Sequence, residues 1–286
     1  MFSSFYFLCR VIAVLEEYQL CFVNNVRNVL CANWLQLRPS VRILDMGCDT
    51  SGRQMAELAQ LTRGEVVGIN IPVTFPGPEA IQTAGPRVQM FRMDGMNLSF
   101  PDKSFDLVIS ANVIEHVPDP AKFIHEAARV LKDDGVAYLE TAPLWTSARG
   151  HHIMESMIVE NCPEETQFRD DGSIIPEWSH LTLSRDEMAE RLQGRISPGT
   201  IEYILTFLYD SEHLNKRNWT EIANAFHSAF PYMHLMPRPL PGIDTSLMPA
   251  DGTHDYSVYG FTAIGRKSPQ GWLSKRLNWR LRRIGF

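Results

Sequence analysis

The sequence predicts an α/β fold built on a doubly wound, mostly parallel seven-stranded sheet, with an N-terminal helical cap and a helical insertion after the fifth strand. Two observations predict this fold. From residue 41 onwards, short apolar runs alternate with amphipathic stretches, which is typical of parallel strands joined by helices. One of these runs, Phe105–Ser110, is dominated by apolar residues, as expected for a strand buried on both faces.

The first strand, turn and helix are predicted around Val41–Gly52. The apolar run Val41–Leu44 ends in Asp45, a turn follows at Gly47, and apolar residues at helical spacing begin at Met55. Free N–H groups at the start of such a helix bind polar or anionic ligand atoms. This unit is therefore typical of a nucleotide pocket at the carboxyl edge of a sheet.

The remaining elements follow in chain order. Further strands are predicted at Glu65–Ile69, Val88–Met93, Phe105–Ser110, Val136–Thr141, Tyr232–Met236 and Tyr256–Gly265. Asp119, followed by proline, predicts the start of a helix that ends at Asp134-Gly135. In the insertion, a capping box at Ser184–Glu187 and caps at Ser197 and Asn218 predict three more helix starts.

Charge and cysteine content exclude several classes of protein. The formal net charge is −6, but residues 266–286 hold seven Lys/Arg and no acidic residue, so the rest of the chain carries −13. An acidic body argues against binding nucleic acid. The five cysteines form no C-x-x-C pair, which indicates reduced thiols. The apolar run Phe2–Leu15 is too short to span a bilayer and lacks a signal-peptide cleavage site, so we expect a cytoplasmic protein.

Five segments together resemble the class I S-adenosylmethionine-dependent methyltransferases, most closely the broad group that methylates small molecules. They are I-L-D-M-G-C at 43–48, V-V-G-I-N at 66–70, M-D-G-M-N-L-S-F-P-D-K-S-F-D-L-V-I-S at 93–110, N-V-I-E-H-V-P-D-P at 112–120 and R-V-L-K-D-D-G at 129–135. The resemblance implies a sheet of the class I methyltransferase type and S-adenosylmethionine as cofactor. A nicotinamide oxidoreductase is disfavoured because the first turn lacks G-x-G-x-x-G.

The resemblance also implies which residues bind the cofactor. They are Asp45, Gly47, Cys48, Asn70, Asp94, Gly95, Met96 and Asn112. Asp45 and Gly47 would line the methionine part, and the residue that ends the second strand would hold the ribose hydroxyls. Residues 94–96 would face the adenine, and Asn112 would lie beneath the cofactor near the substrate.

The first turn and the second strand depart from the family pattern. Asp49 and Ser51 stand where the family has glycine, and the second strand ends in Asn70 instead of Asp or Glu. Asparagine keeps an acceptor but loses a charge-assisted hydrogen bond worth ~1 kcal/mol. The alternative function is therefore a degenerate, non-catalytic domain of this fold that serves as a binding or interaction module.

Histidines are the candidate bases, because methyl transfer to oxygen often needs a base that works near neutral pH. We take His152 and His180 as the candidate catalytic residues, since both are expected near the carboxyl edge of the sheet. We expect a structural or cofactor-loop role for His116. A metal site among His151, His152, Glu155 and His180 is the alternative, but adjacent histidines rarely ligate one ion and no cysteine or aspartate cluster supports them. We therefore predict no metal.

The chain divides into five segments on these patterns. They are an N-terminal helical cap (1–38), a cofactor-binding Rossmann-like core (39–143), a substrate-covering insertion (144–230), the last strands of the core (231–267) and a basic amphipathic tail (268–286). The cap has apolar residues at helical spacing, and a helix lying on a membrane is its alternative. The tail suits an anionic surface, which predicts peripheral contact with the inner face of a membrane. A tail docked on the acidic body or disordered in solution is the alternative.

The sequence therefore predicts an S-adenosylmethionine-dependent methyltransferase. Its acceptor is expected to be a small molecule or a glycan or lipid precursor, with O-methylation favoured. The identity of the acceptor and the oligomeric state are left open at this point.

Overall fold

The structure of the protein, a computed structural model, describes residues 25–26, 29, 40–49, 52–71 and 87–269. Nearly all of the predicted cap, the position of Ser51 and the tail beyond residue 269 lie outside the described residues. The predictions for these segments therefore stay predictions.

The described strands number seven. They are β1 (Arg42–Met46), β2 (Glu65–Asn70), β3 (Val88–Arg92), β4 (Phe105–Ala111), β5 (Leu131–Thr141), β6 (Tyr232–Arg238) and β7 (Gly260–Arg266). The α-helices are α1 (Arg53–Thr62), α2 (Pro120–Val130), α3 (Glu155–Asn161), α4 (Ser179–Thr182), α5 (Arg185–Leu192), α6 (Pro198–Leu205) and α7 (Trp219–Ala229). Short 3₁₀ turns lie at Ile114–His116 and Thr245–Leu247, and a π-helical turn at Thr206–Asp210 extends α6.

The strands form one sheet in the order β3-β2-β1-β4-β5-β7-β6. The first five pair in parallel, whereas β7 runs antiparallel to both β5 and β6. The predicted α/β fold with a mostly parallel sheet is confirmed. Parallel strands end at the same edge of a sheet, so the ends of β1, β2, β3 and β4 lie next to one another.

The predicted helix starts are confirmed by their hydrogen bonds. The Asp119 carboxylate accepts from the Lys122 amide at 3.0 Å, with proline in the first turn of α2. Ser184 and Asn218 each form a complete capping box, and the Ser197 side chain caps α6 by accepting from the amide of Thr200. These starts follow from local sequence, because a cap needs only a partner three residues away.

Three element boundaries differ by four or more residues from the sequence prediction. Helix α2 ends at Val130 instead of Asp134-Gly135, and β5 begins at Leu131. Leu131 adopts an extended conformation and pairs with Phe105 of β4, so the chain leaves the helix and enters the sheet at this point. Strand β7 begins at Gly260, four residues after the predicted Tyr256, whose hydroxyl donates instead to Asp251 in the preceding loop at 2.9 Å.

Apolar side chains cover both faces of the sheet. Helices α2 and α7 pack on one face, where Phe123 and Phe226 are buried with Phe261 of β7. Helix α1 packs on the other face with Met55 and Leu58. The insertion has an apolar cluster of its own. No helix in the described part of the chain is both long and apolar enough to cross a membrane.

Truncation of Phe226 tests the packing of α7 against the sheet. Its ring is fully buried and meets Phe261 edge-on with ring centroids 5.4 Å apart. We expect Phe226→Ala to lower the free energy of unfolding by about 3–5 kcal/mol in urea denaturation. His227→Ala, at the next, exposed position of the helix, should change it by less than about 0.5 kcal/mol. Equal effects of the two substitutions would contradict this packing.

Candidate functional site

A cavity of about 310 Å³ lies at the carboxyl edge of the sheet, above the ends of β1 to β4. Six of the eight predicted cofactor residues line it: Gly47, Asn70, Asp94, Gly95, Met96 and Asn112. The rest of the lining is mostly apolar and includes Ile69, Ile71, Met93, Val113, Val117, Pro118 and Phe123, together with His116. The cavity thus combines a few polar groups with a mostly apolar lining, as small-molecule sites usually do.

The turn after β1 is tied to the end of β2 by main-chain hydrogen bonds. The amides of Gly47 and Cys48 both donate to the carbonyl of Ile69, at 2.8 and 3.0 Å. Gly47 has a φ of +90°, and a Cβ on it would lie 2.1 Å from a methyl carbon of Val113. Only glycine fits this position, which lets the backbone form the wall of the cavity.

Asp49, which stands where the family has glycine, does not adopt a left-handed backbone conformation. The positive φ values of the described turn fall on Gly47 and Gly52, and Asp49 is not among the residues with positive φ. The turn therefore keeps glycine at the described positions that require it.

Asn70 uses its side chain to hold the same turn. Its Nδ2 donates to the carbonyl of Cys48 at 2.7 Å, and its Oδ1 accepts from the amide of Ile71 at 2.7 Å. An aspartate could not make the first of these bonds because a carboxylate has no hydrogen to donate. The asparagine that departs from the family pattern thus stabilises the turn and keeps one acceptor lone pair of Oδ1 for a ligand.

The loop after β3 forms the opposite wall. Asp94 accepts from the amide of Met96 at 2.8 Å, which folds residues 94–96 into a tight turn. A Cβ at Gly95 would lie 2.4 Å from the ring of Phe123, so the backbone packs directly on the aromatic ring. This contact leaves the loop close to the cavity.

Asp45 and Cys48 lie behind the cavity lining and are both buried. Burial, and then the nearby charge of Asp49, raises the pKa of Asp45 to about 7. Burial also raises the pKa of the Cys48 thiol, which therefore stays protonated. The Oδ2 atom of Asp45 has no hydrogen-bond partner among the residues that the structure describes. A buried acceptor of this kind is costly unless a ligand or water supplies a donor.

The two histidines predicted to be catalytic are buried and do not line this cavity. The Nε2 atom of His152 donates to the carbonyl of Pro143 at 2.8 Å, and that of His180 donates to the carbonyl of Trp145 at 2.7 Å. Burial lowers the pKa of both rings to about 4, which keeps them neutral near pH 7. Their catalytic role remains a prediction.

His116, which the sequence assigned a structural or cofactor-loop role, lines the cavity. Asn215 of the insertion holds the 3₁₀ turn that carries His116. Its main-chain N–H donates to the carbonyl of Glu115 at 3.0 Å, and its side chain donates to the carbonyl of Val117 at 2.8 Å. In the sequence, the feature that could have indicated this place in the cavity was the position of His116 four residues after Asn112, at the carboxyl end of β4.

The alternative metal site is not assembled. The Nδ1 of His151 accepts from the amide of Ile153 at 2.9 Å, and the Glu155 carboxylate lies 3.8 Å from the guanidinium of Arg169. Over residues 87–269 and the shorter described stretches before them, no group of three His, Cys, Asp or Glu side chains is placed to hold a metal ion.

Comparison with known proteins matches the core of the chain to methyltransferases. Residues 44–139 match the protein-family model described as "Methyltransferase domain". A 2-methyl-6-phytyl-1,4-hydroquinone methyltransferase of Synechocystis sp. is 36% identical over 160 residues, which cover 55% of this chain and 46% of the relative. A sterol 24-C-methyltransferase of Gibberella zeae is 29% identical over 109 residues, 37% of this chain and 28% of the relative.

A third relative is a probable S-adenosylmethionine-dependent methyltransferase of Mycobacterium tuberculosis. It is 30% identical over 99 residues, which cover 35% of each chain. The chain thus spans less than half of the length of each of these three relatives. The residues matched by the family model, 44–139, include the strands and loops whose ends form the cavity.

The buried Asp45 carboxyl predicts that stability falls as the pH rises. An unfolded Asp loses its proton near pH 3.9, whereas the folded protein holds this proton to about pH 7. The stabilisation of the folded protein by the protonated Asp45 is complete below pH 4 and is lost as the pH rises through 7. We expect Asp45→Asn to shrink the drop in unfolding free energy between pH 5 and pH 8 by on the order of 2–3 kcal/mol in urea denaturation.

The pKa of Glu115, raised to about 8 by burial, leaves a residual slope in this variant. An unchanged drop in stability after Asp45→Asn would show that Asp45 is ionised in the folded protein throughout this range.

Proposed function

We propose that the protein is a class I S-adenosylmethionine-dependent methyltransferase that methylates a small molecule or a glycan or lipid precursor at oxygen. The match of residues 44–139 to a methyltransferase domain supports this proposal. One observation carries this proposal. Gly47, Asn70, Asp94 and Asn112 come from the ends of four neighbouring strands and line a single cavity. This is the edge at which open α/β sheets bind nucleotide-like ligands.

The residues of the cavity fit S-adenosylmethionine. The close backbone at Gly47 and the unpartnered Oδ2 of Asp45 offer a polar environment for the amino-acid part. The remaining lone pair of Asn70 Oδ1 can accept from a ribose hydroxyl. Asp94 uses one carboxylate oxygen for the Met96 amide, which leaves acceptor capacity for the exocyclic amine of adenine.

The bound cofactor supplies an electrophilic methyl group on a sulfonium. The protein itself has to align an acceptor with that methyl group and keep water away. Val113, Val117 and Pro118 form an apolar wall near Asn112 and can exclude water there. His152 and His180 remain candidate bases, although each lies outside this cavity and is neutral.

The names of two relatives support an acceptor with a large apolar part, since one methylates a sterol and the other a phytyl hydroquinone. The hydroquinone carries hydroxyl groups, but the name of this relative does not state which atom is methylated. The sterol relative methylates carbon, so carbon is the second candidate for the acceptor atom.

Cofactor binding by Gly47→Ala tests the proposed site. The added methyl group would collide with Val113, so we expect the affinity for S-adenosylmethionine in calorimetry to fall by at least ~10-fold, about 1.4 kcal/mol. Gly194→Ala is the matched control, because Gly194 also has a positive φ (+73°) but no atom within 4 Å of the added Cβ. Wild-type protein that binds neither S-adenosylmethionine nor S-adenosylhomocysteine would overturn the proposed function in favour of a non-catalytic module.

The basic tail supports a further proposal, peripheral contact with an anionic membrane. Its Lys/Arg content and apolar spacing come from the sequence alone. Removal of residues 271–286 should abolish sedimentation with phosphatidylglycerol vesicles, since it removes the basic residues that bind the anionic surface. Phosphatidylcholine vesicles serve as the uncharged control. Unchanged sedimentation of the shortened chain would rule out the tail as the membrane contact.

A further inference from the structure

We propose that His116 is the base that accepts the proton of the acceptor hydroxyl during methyl transfer. The inference rests on the proposed function and adds to it a residue for which the sequence predicted another role. His116 is the histidine that lines the cavity, next to Asn112 and Val113. A group in that position can touch the acceptor, whereas His152 and His180 stand behind the lining.

A hydrogen bond to the main chain fixes the tautomer of the His116 ring. Its Nδ1 lies 3.0 Å from the carbonyl oxygen of His213. A carbonyl can only accept, so Nδ1 carries the hydrogen and the Nε2 of the neutral ring carries the free lone pair. Among the residues that the structure describes, no hydrogen bond to this Nε2 is found, which leaves it available to a ligand.

The ring is also held in orientation from two sides. The ring of His152 meets it edge-on at a centroid distance of 5.3 Å, and His152 is itself fixed by its hydrogen bond to Pro143. On the other side, His213 stacks on Phe207 at 5.6 Å, which steadies the segment whose carbonyl accepts from His116. A base held in this way loses little rotational freedom when the acceptor binds.

The surroundings of His116 keep the ring in its basic form. Among the residues that the structure describes, the His152 ring packs against the ring of His116 and His213 accepts its hydrogen bond, and neither is an acid that would stabilise an imidazolium. Desolvation lowers the pKa of His116 and outweighs the hydrogen bond to the His213 carbonyl, which raises it. The neutral ring is therefore the main species at neutral pH.

The proposed step balances with S-adenosylmethionine as the co-reactant. The acceptor oxygen forms a bond to the methyl carbon while the bond between that carbon and the sulfonium breaks, and its electron pair goes to sulfur. The hydroxyl proton moves to Nε2 of His116, which becomes an imidazolium and later releases the proton to solvent. The products are the methyl ether and S-adenosylhomocysteine.

His116→Asn tests the role of Nε2. The asparagine amide can still donate to the carbonyl of His213, but the Nε2 base is gone. The full-length protein is assayed by release of S-adenosylhomocysteine from S-adenosylmethionine with a panel of substituted phenols and hydroquinones. We expect kcat to fall ~10²–10⁴-fold while the calorimetric Kd for S-adenosylmethionine stays within ~3-fold. His227→Asn, at an exposed site on α7, is the control and should leave both unchanged.

Two measurements distinguish a role of His116 as the base from a purely structural role. The wild-type kcat/KM should fall with unit slope as the pH drops through the pKa of His116, and the His116→Asn profile should lose this limb. In ¹⁵N-histidine NMR of the protein without acceptor, His116 should be neutral with its hydrogen on Nδ1. A hydrogen on Nε2 at pH 7 would overturn the proposal.

Failure of this inference is distinguishable from failure of the proposed function. A His116→Asn variant as active as wild type overturns the role of His116 alone. Binding of S-adenosylmethionine without turnover of any hydroxyl acceptor overturns methylation at oxygen, and the role of His116 with it. Absence of cofactor binding by the wild-type protein overturns the proposed function itself.

Discussion

The hydrogen bonds that join the turn after β1 to the end of β2 are the constraint on which the site depends. Two amides of the turn donate to the carbonyl of Ile69, and the side-chain amide of Asn70 donates to the carbonyl of Cys48. A carbonyl oxygen has two lone pairs, so Ile69 can satisfy both donors at once. Without these bonds, Gly47 would not lie against Val113, and the wall of the cavity would not be continuous.

Burial keeps most titratable groups around the site neutral. It raises the pKa values of Asp45 and Glu115 and lowers those of His152 and His180. All four shifts have the same cause, because a charge removed from water is costly whatever its sign. Burial therefore favours the neutral forms of these four groups, which lie behind the cavity lining, whereas Asp94 lines the cavity itself.

The insertion acts on the cavity through the main chain of the 3₁₀ turn at Ile114–His116. Asn215 donates to carbonyls of this turn, and the carbonyl of His213 accepts from the ring of His116. The insertion thus does more than pack its own apolar cluster, since it positions a turn that belongs to the core.

The sequence by itself determined the order of the strands along the chain, four helix starts and the strand ends at which polar residues meet. These features depend on local spacing or on the rule that parallel strands end at one edge. Only the tertiary structure decided that α2 ends at Val130, that β7 lies between β5 and β6, and that His116 lines the cavity while His152 and His180 do not. The physical reason is distance along the chain. The partner of His116 is 97 residues away, and no local pattern specifies which carbonyl a ring nitrogen will meet.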